Sequence, residues 1–311
     1  MYRFAWLVAI TLLGAASATA QPVRFRLALI GDLGYSETNF AVPHERQYAN
    51  VLAEINAQDL AFVIHDGDLG AGGDLCSDAG LRTRLRQLQT SAHPLIYTPG
   101  DNEWTDCRFY DDPLARLASI REMFFDNDRS LGQRTLQLTR QSDVDARFWR
   151  YVENALWHFG DVTFATLHVV GSNNNRGQPE HDARDEAVVA WLAHAFAQAT
   201  ERNSRGLMLV MHANMFNGRN QGITNALYDG LIEGVLAFGK PVVMVHGDTH
   251  QFIIDKPLAG WNGFPLEMFT RVQTFGTPGH HWVEVVVDPD DPMVFGFRQR
   301  IVRANLVDHP R

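Results

Sequence analysis

Lysine is almost missing from this sequence: of 311 residues only Lys240 and Lys256 carry that side chain. Any chemistry that needs a lysine, as a Schiff base or in a glycine-rich phosphate loop, therefore has two candidates. Gly234 to Lys240 does spell GxxxxGK. Pro241, however, replaces the Ser or Thr that would hold magnesium, and no strand precedes Gly234, which excludes a P-loop. Cysteine is equally scarce. Cys76 and Cys107 are too few for a disulfide-stapled miniprotein and, lacking CxxC spacing, do not form a zinc knuckle. No GxSxG elbow marks a serine nucleophile. Beyond residue 20 no apolar run approaches the roughly 20 residues that a membrane-spanning helix needs. Repeats and low-complexity linkers are absent too, and the polar stretch Gly171 to Pro179 reads as a loop. What remains is ordinary globular composition, 45% hydrophobic and 20% charged, with 25 glycines. That is too apolar for disorder, too poor in glycine for collagen, and enough for one large domain.

The N-terminus reads as a secretory signal peptide: Arg3 supplies the positive start, Phe4 to Gly14 the apolar stretch, and Ala18-Thr19-Ala20 the cleavage site. Cleavage after Ala20 leaves residues 21–311 as a single domain in the periplasm or outside the cell. It also removes one positive charge from a formal net charge of −9. An acidic protein of this kind repels nucleic acid and anionic membranes, so neither is an expected partner, and a monomer without a membrane span is expected. In an oxidising compartment two cysteines in loop-like sequence, GGDLCSD and EWTDCRF, point to a Cys76–Cys107 disulfide. A pair of free thiols, one of them a metal ligand, is the other reading.

Short β-branched runs alternate with segments of helical period. Strands are predicted at Arg26–Ile30, Ala61–Ile64, Leu95–Tyr97, Val162–Val170, Leu207–Met211 and Val242–Val245, then at Gln251–Ile254, Glu267–Thr274, Trp282–Val287 and Val294–Val302. Helices are predicted at Glu45–Ala57, Leu81–Gln89, Pro113–Phe125, Asp182–Thr200 and Thr224–Phe238. The last quarter has strands and no helices, with a Pro289-Asp290-Asp291-Pro292 turn, so antiparallel pairing is expected there. The architecture is α/β, and in such sheets ligands bind at the carboxyl ends of the strands.

Those ends are unusually rich in chemistry. The first three strands run into Gly31-Asp32, Gly67-Asp68 and Gly100-Asp101-Asn102-Glu103, spaced by about the 30 or more residues of a βαβ unit. Two later strands run into His212 and into His246-Gly247-Asp248-Thr249-His250. One Gly-Asp after a strand is an ordinary turn or cap. Five strand ends delivering Asp, Asn or His to one rim would cost several kcal/mol in repulsion and desolvation without a cation. A pair of divalent ions resolves that cost.

The ordered blocks resemble those of the calcineurin-like metallophosphoesterases, the superfamily that includes the purple acid phosphatases. The family order is D-x-H or D-x-G, G-D-x-x, G-N-H-[DE], a strand-end His, then G-H-x-H. Here it appears as Asp32 with Gly34, Gly67-Asp68, Gly100 to Glu103, His212 and Gly247 to His250. The resemblance implies a four-layer α-β-β-α sandwich with mixed sheets and antiparallel C-terminal strands. It implies two divalent ions, with Asp32 and His250 on the first and Asp68 bridging both. Asp101 or Asn102, with His212, would serve the second, and Asp248 occupies the first His position of G-H-x-H. Asp101, Asn102 and His212 would flank the reacting phosphate. A hydroxide bridging the ions would attack a small anionic phosphate mono- or diester in line, with no protein nucleophile.

Departures from the pattern shape the expectation further. Gly34 stands where many members have a ligand His, and Ala71 where purple acid phosphatases carry a Tyr, leaving Tyr35 or Asp74 as substitutes. Asn102 replaces the family His that steadies the leaving group, and it cannot donate a proton as imidazolium does. More carboxylate and less imidazole favours Mn, Mg or Ca over Zn, with Fe also in the range. Arg108, Arg176 and Arg219 are candidate anion clamps. His246 is a candidate alternative ligand, and Trp104 a candidate site wall. Loss of the catalytic-type His keeps two alternatives open: a non-catalytic metal-binding protein on the same fold, and a metal-dependent hydrolase of a non-phosphate bond.

Overall fold

The computed structural model describes residues 23–35, 43–218 and 222–306; the signal-peptide reading and Arg219 lie outside them. The first half of the chain carries β1 (Phe25–Ile30), α1 (His44–Asn56), β2 (Val63–His65), α2 (Gly72–Leu75), α3 (Asp78–Leu88), β3 (Leu95–Tyr97) and α4 (Pro113–Phe124). Next come β4 (Thr139–Arg140), α5 (Gln141–Val144), β5 (Ala155–Phe159), β6 (Val162–Thr166), α6 (Pro179–Glu201), β7 (Gly206–Val210), α7 (Asn225–Phe238) and β8 (Val242–His246). The strands β9 (Ile253–Asp255), β10 (Phe269–Gln273), β11 (Trp282–Val287) and β12 (Phe295–Arg300) follow without an α-helix between them. Helix starts follow local chemistry. Ser77 and Thr224 accept backbone N–H groups of α3 and α7, and Asp112 does so for α4, where Pro113 fills the first turn.

Two mixed sheets result, in the strand orders β12-β11-β1-β2-β3 and β4-β5-β6-β7-β8-β10-β9. Their alternating side chains build three cores. Leu27 and Leu29 of β1, Met208 and Val210 of β7, and Val243 and Val245 of β8 meet between the sheets. Ala28 and Ile30 face the other way, onto α1, α3 and α4, while Leu207, Leu209, Val242 and Met244 pack beneath α6 and α7. Helices, sheet, sheet and helices form the four layers that the sequence led us to expect.

Three details differ from that expectation. The short elements β4, α2 and α5 went unpredicted, and so did β5, which pairs antiparallel with β6 across Gly160-Asp161, a two-residue turn in which Gly160 has φ 55°. β6 stops at Thr166 rather than Val170, although Leu167 N still bonds Val210 O (2.8 Å) and Val169 O still accepts His212 N (3.1 Å) before the chain reaches Gly171 at the rim. C-terminal pairing is antiparallel for β9–β10, β11–β12 and β1–β11, but β10 lies parallel to β8. There β9 and the loop after it replace a crossover helix. The GxxxxGK segment proves to be the end of α7: Gly239, at φ 62°, is its left-handed stop, and the Lys240 ammonium bonds Asn203 and Ser204.

A charged cluster lies under α4 and α6. Glu153 is fully buried and receives Arg121 through both carboxylate oxygens (3.0 and 2.6 Å) and His168 Nδ1 at 2.7 Å. Burial alone would raise the Glu153 carboxyl, but the Arg121 charge and the His168 and Arg121 hydrogen bonds outweigh it and hold it well below its ordinary value. A depressed carboxyl contributes stability that is present above its unfolded value, 4.5, and is lost as pH falls below it. Glu153→Gln leaves Arg121 without its counter-charge, so it should cost about 3–5 kcal/mol in urea unfolding at neutral pH and flatten the loss of stability below pH 4.5. Cys76 and Cys107 are joined across a sequence separation of 31 that includes β3 and the third strand end. The Cys76→Ser/Cys107→Ser double variant should unfold about 2–4 kcal/mol more easily in the same assay.

Candidate metal centre

The two sheets meet at one rim, and each contributes half of the site. Asp32, Asp68 and Asp101 come from the ends of β1, β2 and β3, and His212, Asp248 and His250 from the ends of β7 and β8. Adjacent ends are laced by backbone hydrogen bonds from Asp32 N to Gly67 O (3.0 Å) and from Leu33 N to Asp68 O (3.2 Å). Asp32, Asp68, Asp248 and His250 all hold left-handed backbone, with φ of 53°, 54°, 74° and 54°. That conformation is disfavoured for side chains other than glycine, and it persists only where surrounding structure enforces it. Glycine permits the close approach. A Cβ on Gly100 would lie 2.0 Å from Asp68 Oδ1, and one on Gly247 2.2 Å from Asp32 Oδ2.

Five of these six side chains fall into two groups. Asp32, Asp68 and His250 present ligand atoms within 4.8 Å of one another, as do Asp68, Asp101 and His212. Asp68 belongs to both. His212 Nδ1 lies 3.1 Å from the Asp66 carbonyl oxygen and His250 Nδ1 3.0 Å from that of Thr277. Each Nδ1 must therefore carry the proton it donates, which turns the lone pair of Nε2 toward the carboxylates. His212 Nε2 stands 2.9 Å from Asp101 Oδ1 and 3.4 Å from Asp68 Oδ1; His250 Nε2 stands 3.3 Å from Asp32 Oδ1.

The electrostatics call for positive charge. Asp101 Oδ1 and His212 Nε2 are both buried and face each other at 2.9 Å. Burial raises the Asp68 carboxyl, and burial assisted by Asp101 pushes Asp248 up to about 6. Burial alone would lower His212, but Asp68, with hydrogen bonds to Asp101 and Asp68, drives it well above the ordinary imidazole range. Without a cation the cluster retains protons in its place. Mixed carboxylate and imidazole donors of this kind fit divalent metal ions.

Other predicted residues fall around these groups. Asn102 donates its backbone N–H to Asp68 Oδ1 (3.1 Å) and its amide to Tyr35 Oη (2.7 Å) and the Gly70 carbonyl (3.0 Å). Its side chain thus braces two loops, while Asp101 stands beside His212. Tyr35 donates its hydroxyl to Asp68 Oδ2 and sets its ring edge against His250. Asp248 donates its backbone N–H to Asp32 (3.1 Å) and accepts from Asn214 N (3.2 Å). Asp74 is exposed and His246 joins neither group. Trp104 is wholly buried against His168 and Arg184, a core residue rather than a wall. Arg108 lies at the exposed edge, 3.8 Å from Asp106.

Sequence reasoning passed over three features. Asp66 is fully buried, accepts from Thr274 Oγ1 (2.8 Å), and groups with Asp32 and His212; its signal was the doubled acid of His65-Asp66-Gly67-Asp68. Glu103 accepts Leu69 N (2.6 Å) and Gly100 N (3.0 Å), tying the second strand end to the third. Burial, then Asp68, pushes its carboxyl up to about 8. Finally, Cys76 to Arg82 has the C-x5-R spacing of a thiolate phosphate loop. The disulfide removes that thiolate.

Comparison with known proteins agrees with this geometry. Residues 25–252 match the family described as calcineurin-like phosphoesterase. No curated protein sequence matches the chain significantly. The crystal structure of a dimetal phosphatase from Danio rerio superposes with a TM-score of 0.56 at 12% identity, over 90% of this chain and 97% of that one. A purple acid phosphatase from yellow lupin (Lupinus luteus) seeds gives 0.56 at 13% identity, over 93% of this chain and 53% of the lupin chain. This chain therefore spans about half the length of the lupin protein, and at these identities the likeness establishes the sandwich fold. With the family match running from β1 to the loop that follows β8, across all the strand ends that build the site, the chain belongs to the calcineurin-like phosphoesterases, metal-dependent hydrolases of phosphoester bonds.

Proposed function

We propose that this protein is a secreted or periplasmic phosphoesterase acting on a small anionic phosphate mono- or diester, with one divalent ion held by Asp32, Asp68 and His250 and another by Asp68, Asp101 and His212. The observation that carries this reading is the pair of donor groups sharing Asp68. Such ions, when bound, offset the negative charge of the transferring phosphoryl group and make water a competent nucleophile near neutral pH.

The chain's own residues supply orientation. His212 and His250 are held in one tautomer by backbone carbonyls, and Asp68 is held by Asn102 N and the Tyr35 hydroxyl. With the Asn102 amide committed to Tyr35 and Gly70, the Tyr35 hydroxyl is the neutral donor set against the bridging carboxylate. Beside His250 and Asp248 a groove of about 570 Å³ opens, with Asn214, Thr249 and Gln251 on its wall, room for a small ester. Both lysines bond elsewhere, Lys240 to Asn203 and Lys256 to the Phe269 carbonyl, so neither serves a phosphate here. Asp32, Asp68, Asp101 and Asp248 make the site rich in hard oxygen donors, which supports Mn, Mg or Ca over Zn. The same carboxylates oppose a phosphate dianion more than a diester monoanion. Export is supported by the Cys76–Cys107 disulfide.

The alternative, a metal-binding protein without turnover, rests on the replacement of the family His by Asn102. Purified enzyme assayed with p-nitrophenyl phosphate and its bis ester separates the two. Activity should vanish on chelation and return with Mn. Asp68→Ala should lower kcat/KM by about three orders of magnitude, equivalent to roughly 4 kcal/mol. Stable Mn uptake with no hydrolysis of either ester would favour the alternative, and full activity surviving chelation would overturn the metal-dependent reading.

A further inference from the structure

Asp101 reaches the second donor group through a loop that lies far from it in sequence. After β6 the chain runs over the rim as Gly171-Ser172-Asn173-Asn174-Asn175, and the last four residues all hold left-handed φ, at 45°, 60°, 50° and 56°. Consecutive left-handed non-glycine residues are a disfavoured arrangement that neighbouring structure must impose. The imposing group is Arg184 of α6. It is fully buried, and its guanidinium donates to the Asn174 side chain (2.6 Å), the Asn174 carbonyl (3.0 Å) and the His168 carbonyl (2.9 Å), while Glu180 balances its charge at 2.6 Å. Asn174 closes the turn by accepting Val170 N (3.2 Å) and donating to the Gly222 carbonyl (3.2 Å).

This clamp presses the loop onto the metal donors. A Cβ on Gly171 would lie 2.4 Å from Asp248 Oδ1 and 2.5 Å from Asp101 Oδ1, so only glycine fits between them and the turn. The next residue, Ser172, sets its hydroxyl 2.7 Å from Asp101 Oδ2. Asp101 Oδ1 is the oxygen that faces His212 Nε2 at 2.9 Å. A hydrogen bond on one carboxylate oxygen therefore fixes the direction of the other. The same hydroxyl lies 2.7 Å from Asp106 Oδ1. One proton serves one acceptor at a time, and Asp106 has a second partner in Arg108 at 3.8 Å.

We propose that Ser172 is a positioning residue of the second half-site: carried on a left-handed turn that Arg184 clamps, its hydroxyl holds Asp101 with Oδ1 aimed at the ion shared with Asp68 and His212. The inference rests on the two-ion reading above and adds a residue from outside the strand-end motifs. Partners that orient a metal ligand are worth about 10–100-fold in metal affinity.

The test is calorimetric titration of the metal-free protein with Mn²⁺, comparing wild type with Ser172→Ala and Asn173→Gly. Ser172→Ala should weaken the second Mn²⁺ about 10-fold and leave the first unchanged, with an unaltered melting temperature of the metal-free protein. Asn173→Gly relieves the same turn but keeps the hydroxyl, so it should bind both ions as wild type does. Equal Mn²⁺ affinities in wild type and Ser172→Ala, or equal losses in Ser172→Ala and Asn173→Gly, would overturn the role of Ser172 while leaving the two-ion reading intact. A wild-type protein that takes up fewer than two Mn²⁺ would overturn the two-ion reading itself, and this inference with it.

Discussion

Buried carboxylates need positive charge, and the rim of this sandwich is organised around that need. Asp32, Asp66, Asp68 and Asp101 are all buried within one small volume, where mutual repulsion and lost hydration act together. Among the described residues the arginines nearest them are committed elsewhere, Arg184 to Glu180, Arg121 to Glu153 and Arg84 to Glu45. The strained backbone at four donor residues, the glycines that let chain pass against carboxylate oxygens, and the pinned imidazoles all make sense as support for a cationic centre. Each is costly to folding on its own.

Because the donors come from both sheets, the site also acts as a joint. Either sheet alone would carry acids or imidazoles but no complete donor group. Asp68 and His212 face each other across the seam between β2 and β7, and Asp32 and His250 across that between β1 and the end of β8. Cations bound there would bridge the two halves of the sandwich, so loading and fold stability are linked. The hydrophobic layer between the sheets brings the strand ends together, and the short lacing bonds at the rim set their register.

Much of this was legible in the sequence because it is local. A strand followed by Gly-Asp declares both an end and a ligand-type side chain, which is why Asp32, Asp68 and Asp101 stood out, and the two histidine ends did so for the same reason. The disulfide was legible because only one pairing of two cysteines exists. The illegible parts are those decided by tertiary neighbours. That the Asn102 amide donates to Tyr35 and the Gly70 carbonyl could not be read locally, since both partners lie more than 30 residues away. Asp66 looked like an ordinary residue before a glycine, since nothing local says that its side chain turns under Asp32. Ser172 sits 71 residues from Asp101, and the asparagine run beside it reads as a polar turn whichever hand it adopts. β5 was a different failure, since its Gly-Asp turn was a usable hairpin signal that its mixed composition hid.

The placement of β11 has a consequence for how such a molecule is made. β1, which ends at Asp32, lies between β2 and β11, and Phe25 pairs with Val287. Strand β1 therefore lacks one neighbour until β11, far along the chain, exists. Contacts closed over such distances in sequence form slowly. A nascent chain that lacks β11 has no finished first sheet, and so no completed rim on which to hold a cation.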